Sequence, residues 1–166
     1  METFEFADPR EGTALYGPIL RGMFAHWRAL AGGREFPSPR DLDPVAIPWA
    51  LGRLSLIDVE GEGEKARFRY ALCGDRHVAH FGNDMTGQWL EDNPNPDVRA
   101  RASAAYFETL RRRAPLMSRR DLAKGPRLLR YQALILPMGE AGARIERLVV
   151  VIDFDLPVPD PRSDSA

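Results

Sequence analysis

Arg147-Leu148-Val149-Val150-Val151-Ile152-Asp153-Phe154 decides the fold class. Five consecutive apolar residues, four of them β-branched, fit a central strand buried on both faces. Working upstream, Leu128 to Leu136 reads as a neighbouring strand. Leu128, Leu134 and Leu136 fall on one of its faces, and Leu129, Tyr131 and Ile135 on the other. Arg119 to Lys124 is read as an added edge strand. Before it, the turn Asn93-Pro94-Asn95-Pro96 leads to Asp97, the expected cap of a helix to about Arg112. Its apolar face is Val98, Ala102, Ala105, Tyr106, Thr109 and Leu110.

A hairpin lies further towards the N-terminus. Leu54 to Val59 forms one arm, Gly61-Glu62-Gly63 the turn, and Arg67 to Leu72 the other arm, with Phe68, Tyr70 and Leu72 on one face. Gly74 ends it, and Asp75 is the expected cap of a short helix carrying His77, Val78, His80 and Phe81. Pro37 to Pro44 is a rigid connector, in which Asp43 followed by Pro44 opens a short helix through Ala50. A longer helix is expected over residues 13–31. Its apolar residues form two stripes: Leu15, Ile19, Met23, Trp27 and Leu30, beside Tyr16, Leu20 and Phe24. Pro18 sits in its first turn or kinks it, and Gly32-Gly33 stops it. Residues 1–12 show no period and read as a flexible lead-in. Residues 156–166 read as a disordered tail.

Strands therefore gather at both ends of the chain, with helices between them and no strand–helix–strand alternation. That order predicts one α+β domain over residues 13–155, with one antiparallel sheet and helices packed on a single face, plus the N-terminal helix. The totals agree. The 166 residues correspond to about one domain at ~150 residues each. Hydrophobic residues at 44% and charged residues at 28% exclude wholesale disorder. Glycine and proline number 14 each, so turns should be frequent.

No window approaches the ~18 apolar residues of a membrane span. The acidic start Met1-Glu2-Thr3-Phe4-Glu5-Phe6-Ala7-Asp8 is unlike a signal peptide. Cys73 is the lone cysteine, which precludes an internal disulfide or a cysteine zinc cage. A cytoplasmic location is expected. The net charge of −1 singles out no partner. From Arg99 to Arg130, however, ten Lys/Arg face two acids, Glu108 and Asp121. Arg111, Arg112, Arg113, Arg119, Arg120, Arg127 and Arg130 would suit a nucleic acid, a nucleotide or an acidic protein surface. The simpler reading is a solvated helix end, since no aromatic platform for single-stranded nucleic acid interleaves them. DNA is not an expected partner.

Two stretches carry a family resemblance. Trp27-Arg28-Ala29-Leu30-Ala31-Gly32-Gly33-Arg34 followed by Pro37-Ser38-Pro39-Arg40-Asp41-Leu42-Asp43-Pro44 resembles the opening signature of a bacterial PAS family of short, stand-alone proteins common in alphaproteobacteria. Phe68 to Gly74, continuing through Phe81-Gly82-Asn83-Asp84-Met85-Thr86-Gly87, is similar to that family's strand, glycine and G-x-x-x-T-G segment. The resemblance spans roughly Tyr16 to Asp155, and Cys73 before Gly74 departs from it. It implies a five-stranded antiparallel sheet flanked by helices and a role in sensing or signalling. It implies no particular ligand, since PAS domains hold haem, flavin, small acids or nothing.

Catalytic motifs are absent: there is no G-x-S-x-G, H-E-x-x-H, G-x-x-x-x-G-K-[ST] or C-x-x-C. No metal site or cofactor is expected. His77 and His80 would suit haem or a shared metal, against the plainer reading of partly exposed helix histidines. Cys73 reads as a buried, inert residue rather than a photoreactive thiol, because the flavin photosensors' asparagine-cysteine-arginine context is missing. If a central pocket exists, Phe68, Tyr70, Phe81, Met85, Trp89, Tyr106, Tyr131 and Leu134 should line it. The alternative is a filled core.

The two apolar stripes of the first helix suggest a homodimer through Leu15, Ile19, Met23 and Trp27, unless both stripes are buried within one subunit. Too few residues follow Phe154 for an output domain, so any signal should leave through a surface. The leading expectation is a stand-alone PAS-type signalling module acting by protein–protein interaction with an unidentified signalling partner. A small-molecule sensor with a central pocket is the alternative, and an enzyme of unrecognised chemistry a weaker one.

Overall fold

The computed structural model describes residues 3–11, 15, 17–124 and 127–154. Its frame is six strands and three helices: β1 Thr3–Ala7, α1 Pro18–Ala31, β2 Leu54–Glu60, β3 Arg67–Cys73, α2 Asp75–Phe81, α3 Pro96–Arg112, β4 Leu116–Lys124, β5 Arg127–Gly139 and β6 Ile145–Asp153. The strands form one antiparallel sheet in the order β1-β4-β5-β6-β2-β3. The architecture is α+β, as the element order predicted.

The continuous apolar run of β6 fits its place between β5 and β2, where Leu148 to Ile152 are all buried. Side chains alternate across the sheet. Ala133, Ile135, Val150 and Ile152 line a cavity under α2 and α3. Leu134, Leu136, Val149 and Val151 therefore point the opposite way, and they too are buried. α1 covers them: it lies against β5 and β6, its first turn begins where Gly17 abuts Asp153 at the end of β6, and the Trp27 indole N–H donates to the Pro137 carbonyl at 2.9 Å. The helices thus occupy both faces, α2 and α3 on one and α1 on the other.

Several local expectations are revised. Residues 3–7, within the lead-in read as flexible, form β1 and pair with β4 from Thr3↔Asp121 to Ala7↔Met117. Its Phe4/Phe6 alternation is a single short repeat in an otherwise irregular stretch, and its pairing with a strand more than a hundred residues away has no local signal. The stretch read as an added edge strand is accordingly internal, lying in β4 between β1 and β5. The first helix starts at Pro18, which stands in its first turn rather than kinking it; Gly32 ends it in the left-handed conformation (φ 57°). Asp43 does cap, but over a single 3-10 turn, Pro44–Ala46. Asn95, not Asp97, caps α3, its side chain accepting from the Asp97 and Val98 N–H groups, with Pro96 in the first turn. Gly74 rather than Asp75 precedes α2. Tyr16 and residues 156–166 lie outside the described residues.

The β2–β3 hairpin forms as expected, but a register shift at Leu56/Ile57 breaks the alternation of β3. Leu72, expected inside, is 38% exposed, and Cys73 turns inward in its place. Gly74 then leaves the strand against the carbonyl oxygens of Leu54 and Gly52, the latter 2.7 Å from where a Cβ would stand. Gly74→Ala is therefore expected to cost about 1–3 kcal/mol by overpacking rigid backbone. Urea unfolding checks this. A cost below a few tenths would show that the β3–α2 junction yields.

Candidate functional site

The sheet and the two helices above it frame a cavity of about 90 Å³. Its floor is β2 to β6: Ser55, Tyr70, Cys73, Ser118, Tyr131, Ala133, Ile135, Val150 and Ile152. α3 supplies Val98, Arg101, Ala102, Ala105 and Tyr106 at three- and four-residue spacing, which places them on one helix face. α2 and the loops beside it add His77, Phe81, Asn83, Met85 and Asn93.

Of the eight residues expected around a central pocket, Tyr70, Phe81, Met85, Tyr106 and Tyr131 line this cavity. Phe68 instead packs edge-on against the Tyr106 and Phe107 rings. Trp89 lies outside, bridging to Arg69 along the free edge of β3, with the Arg67 guanidinium 3.8 Å above its ring. Leu134 is fully buried on the α1 face. The alternation of β5 had already set Leu134 opposite Tyr131, so the two never share a wall.

His77 was read as partly exposed, but it is 4% exposed. One turn of α2 drives it into the core, where both ring nitrogens are bonded: Nδ1 to the Ser55 hydroxyl at 2.6 Å and Nε2 to the Arg53 carbonyl at 2.8 Å. A carbonyl only accepts, so Nε2 carries the proton and the Ser55 hydroxyl donates to Nδ1. Burial pushes the imidazole down to about 4, against the Arg53 hydrogen bond that raises it. The ring is neutral at physiological pH and held as one tautomer. His80 stacks on Phe154 (centroids 4.1 Å apart) and meets the rings of Phe81 and Tyr131, two residues of the cavity lining.

The Tyr70 and Tyr106 hydroxyls hydrogen-bond to each other, and burial pushes Tyr70 up to about 12 and Tyr106 well above its ordinary value. Both phenols are neutral. Among the described residues Arg101 is therefore the one charged side chain on the cavity wall. Polar groups that sequence reading did not single out (Ser55, Asn83, Asn93, Arg101 and Ser118) complete the lining. They carry no motif, because the fold alone gathers them from β2, β4, α3 and two loops.

The four expected interface residues lie elsewhere. Leu15, Met23 and Trp27 are buried in the chain's own core, and Ile19 is partly buried against it. Leu20 of the second stripe is buried too, and Phe24 packs partly against the core, so among the described residues α1 uses members of both stripes within the chain. Arg111, Arg112 and Arg113 of the arginine cluster are likewise engaged within the chain. Glu108 pairs with Arg111 and Arg112, whose guanidinium groups hold its carboxyl down at about 2. Arg113 clamps Glu35, donates to the Ala143 carbonyl at 2.6 Å and lies over Phe36. The side chains of Arg120, Arg127 and Arg130 lie outside the described residues.

No helix among the described residues is long and apolar enough to cross a membrane. A family model described as PAS domain matches residues 17–151. No curated protein and no solved structure matches the chain.

Proposed function

Because this chain belongs to the PAS domain family, a family of signalling and sensory modules, we propose that it senses a small molecule held in the cavity between the sheet and α2–α3. The observation that supports this reading is the cavity itself. An apolar space of about 90 Å³ carries polar groups from both the sheet and the helices, the pattern of a site that selects as well as buries its ligand. The reading involves no catalysis. His77, lowered to about 4 and bonded through both nitrogens, is a poor general base at neutral pH. A cytoplasmic setting goes with the reading, in keeping with the unpaired, buried Cys73.

A second reading, contact with a signalling partner, is supported by Val45 and Trp49. They are 83% and 45% exposed on the turns after α1. A dimer through Leu15, Ile19, Met23 and Trp27 is not proposed, since three of these side chains are buried in the chain's own core and Ile19 packs partly against it.

Thermal melting against a panel of small metabolites tests the sensor reading. At least one compound is expected to raise the midpoint of the wild-type chain by mass action. The same compound should leave Ala133→Phe, which fills the cavity floor, unmoved. A panel in which every shift is shared by the two proteins would remove the cavity as the input site.

A further inference from the structure

A second recess lies on the opposite side of α3 from the cavity. There α3 presents Arg99, Ala100, Ser103 and Phe107, whose spacing places them on one helix face. The facing wall is the start of β3 and the 3-10 turn Leu90–Asp92. Together they form a groove of about 400 Å³, within the ~300–1,000 Å³ range of ligand sites. Phe68 and Leu90, 2% and 5% exposed, form its bottom. Phe107 meets the Phe68 ring edge-on, with centroids 5.0 Å apart. One end of the groove is therefore aromatic and apolar.

The other end carries an unmatched charge. Arg67 and Glu91 on the rim neutralise each other: the guanidinium donates to the carboxylate through Nε at 3.0 Å and through a second nitrogen, and it lies 3.8 Å over the Trp89 ring. Arg99 has no such partner. It is partly buried, donates through one nitrogen to the Asn93 carbonyl, and meets no carboxylate among the described residues. Arg21, Arg28, Arg69 and Arg144 also lack a carboxylate among the described residues, but all four are exposed to water. A partly desolvated cation without a counter-charge is costly. The remaining donors of its planar fork match a carboxylate. The Ser103 hydroxyl, one turn further along the same face, is a second donor.

The lining therefore has one positive charge in excess, which a monoanion balances and a dianion overshoots, with Glu91 there to repel the surplus. The rim is open, since Arg67, Glu91, Pro96 and Ala100 are exposed. Small-molecule sites bury ~70–90% of their ligand, which an open groove does not do, whereas a peptide brings flanking contacts of its own. From Ser103 to Phe107 the helix rises about 6 Å, close to the ~6.8 Å between alternate residues of an extended chain. We propose that this groove docks an extended segment of a partner protein. An Asp or Glu of that segment sits on Arg99 and Ser103, and a large apolar side chain two residues away sits over Phe68, Leu90 and Phe107. The proposal goes beyond the sensor reading and does not depend on the cavity.

NMR titration of the nitrogen-labelled full chain with acetyl-Phe-Ser-Glu-Ser-Phe-amide tests it, since that peptide offers the apolar side chain in either direction. The same peptide with Gln or phosphoserine in place of Glu serves as the comparison. Shifts are expected to cluster on Ala66, Leu90, Ala100 and Ser103, with the Glu peptide binding about tenfold tighter than the Gln peptide, the difference a charge-assisted hydrogen bond makes. Arg99→Gln should remove that preference and Arg99→Lys keep part of it. Ala100→Glu, at an exposed position outside the core, should remove it as well by setting a carboxylate on the rim. Equal binding of the Gln peptide, shifts centred elsewhere, or a preference that survives in both folded variants would overturn the proposal. So would the absence of binding by any of the peptides at about 10 mM. Tighter binding of the phosphoserine peptide would replace the carboxylate with a phosphate. Free 3-phenylpropionate binding as tightly as the Glu peptide would make the groove a small-molecule site, against the peptide assignment.

Discussion

Trp27→Ala is expected to destabilise the chain by about 3–5 kcal/mol, the range for removing a large buried aromatic. The indole is 5% exposed, and Phe24 stacks beside it with centroids 6.4 Å apart. It also holds α1 to the sheet through its 2.9 Å hydrogen bond to the Pro137 carbonyl. Truncation opens a cavity under α1 and leaves that buried carbonyl without its donor. Trp27→Phe, which keeps most of the ring but not the N–H, should cost less than the alanine variant. Urea unfolding of the three proteins gives the differences, and the native solution mass should be the same for all three. A cost under 1 kcal/mol together with a drop from dimer to monomer mass would instead make α1 a subunit interface.

The second large effect is a loss of stability in mild acid. His77 has an ordinary value of 6.5 and sits at about 4 in the fold, chiefly because burial disfavours the imidazolium. Between those values the unfolded chain binds a proton at His77 that the folded chain does not. Stability from His77 is therefore fully present above pH 6.5 and is lost as the pH falls towards 4, amounting to about 3 kcal/mol across the window. The exposed acids that arginines hold low, Glu108, Glu35 and Glu91, start from the lower carboxylate value of 4.5, so their losses fall mostly below this window. Unfolding free energies at pH 7, 6, 5 and 4.5 should show the decline in the wild type and a much shallower one in His77→Gln. Parallel curves would mean that His77 takes up its proton without unfolding the site, by rotating away from the Arg53 carbonyl.

Much of the architecture was legible because it is written in local periods. The five-residue apolar run of β6 identified the central strand, alternation in β5 separated Tyr131 from Leu134, and the stop at Gly32 fixed the end of α1. Departures came where a pattern was too short or was interrupted. β1 has only five residues. The shift at Leu56/Ile57 exchanged Leu72 for Cys73, and a one-residue slip reverses every side chain beyond it.

The candidate site was legible only in part. Bulky aromatic and thioether residues near strand and helix centres are conspicuous, and Tyr70, Phe81, Met85, Tyr106 and Tyr131 were found that way. Nothing in the neighbourhood of Ser55, Asn93, Arg101 or Ser118 marks them as facing one space. Each looks like an ordinary surface residue until strand order and helix placement bring them together.

The sequence by itself determined the class of fold, the order of its elements after β1 and the burial of β6, because periodicity and turn chemistry act over a few residues. It also showed that α1 has an apolar surface to cover. Only the tertiary structure decided what covers that surface, because a stripe records that a face is buried and not against which partner. The same holds for the cavity. Its polar wall joins residues as far apart in the chain as Ser55 and Ser118, and only the packing of α2 and α3 over the sheet sets His77 neutral between Ser55 and Arg53.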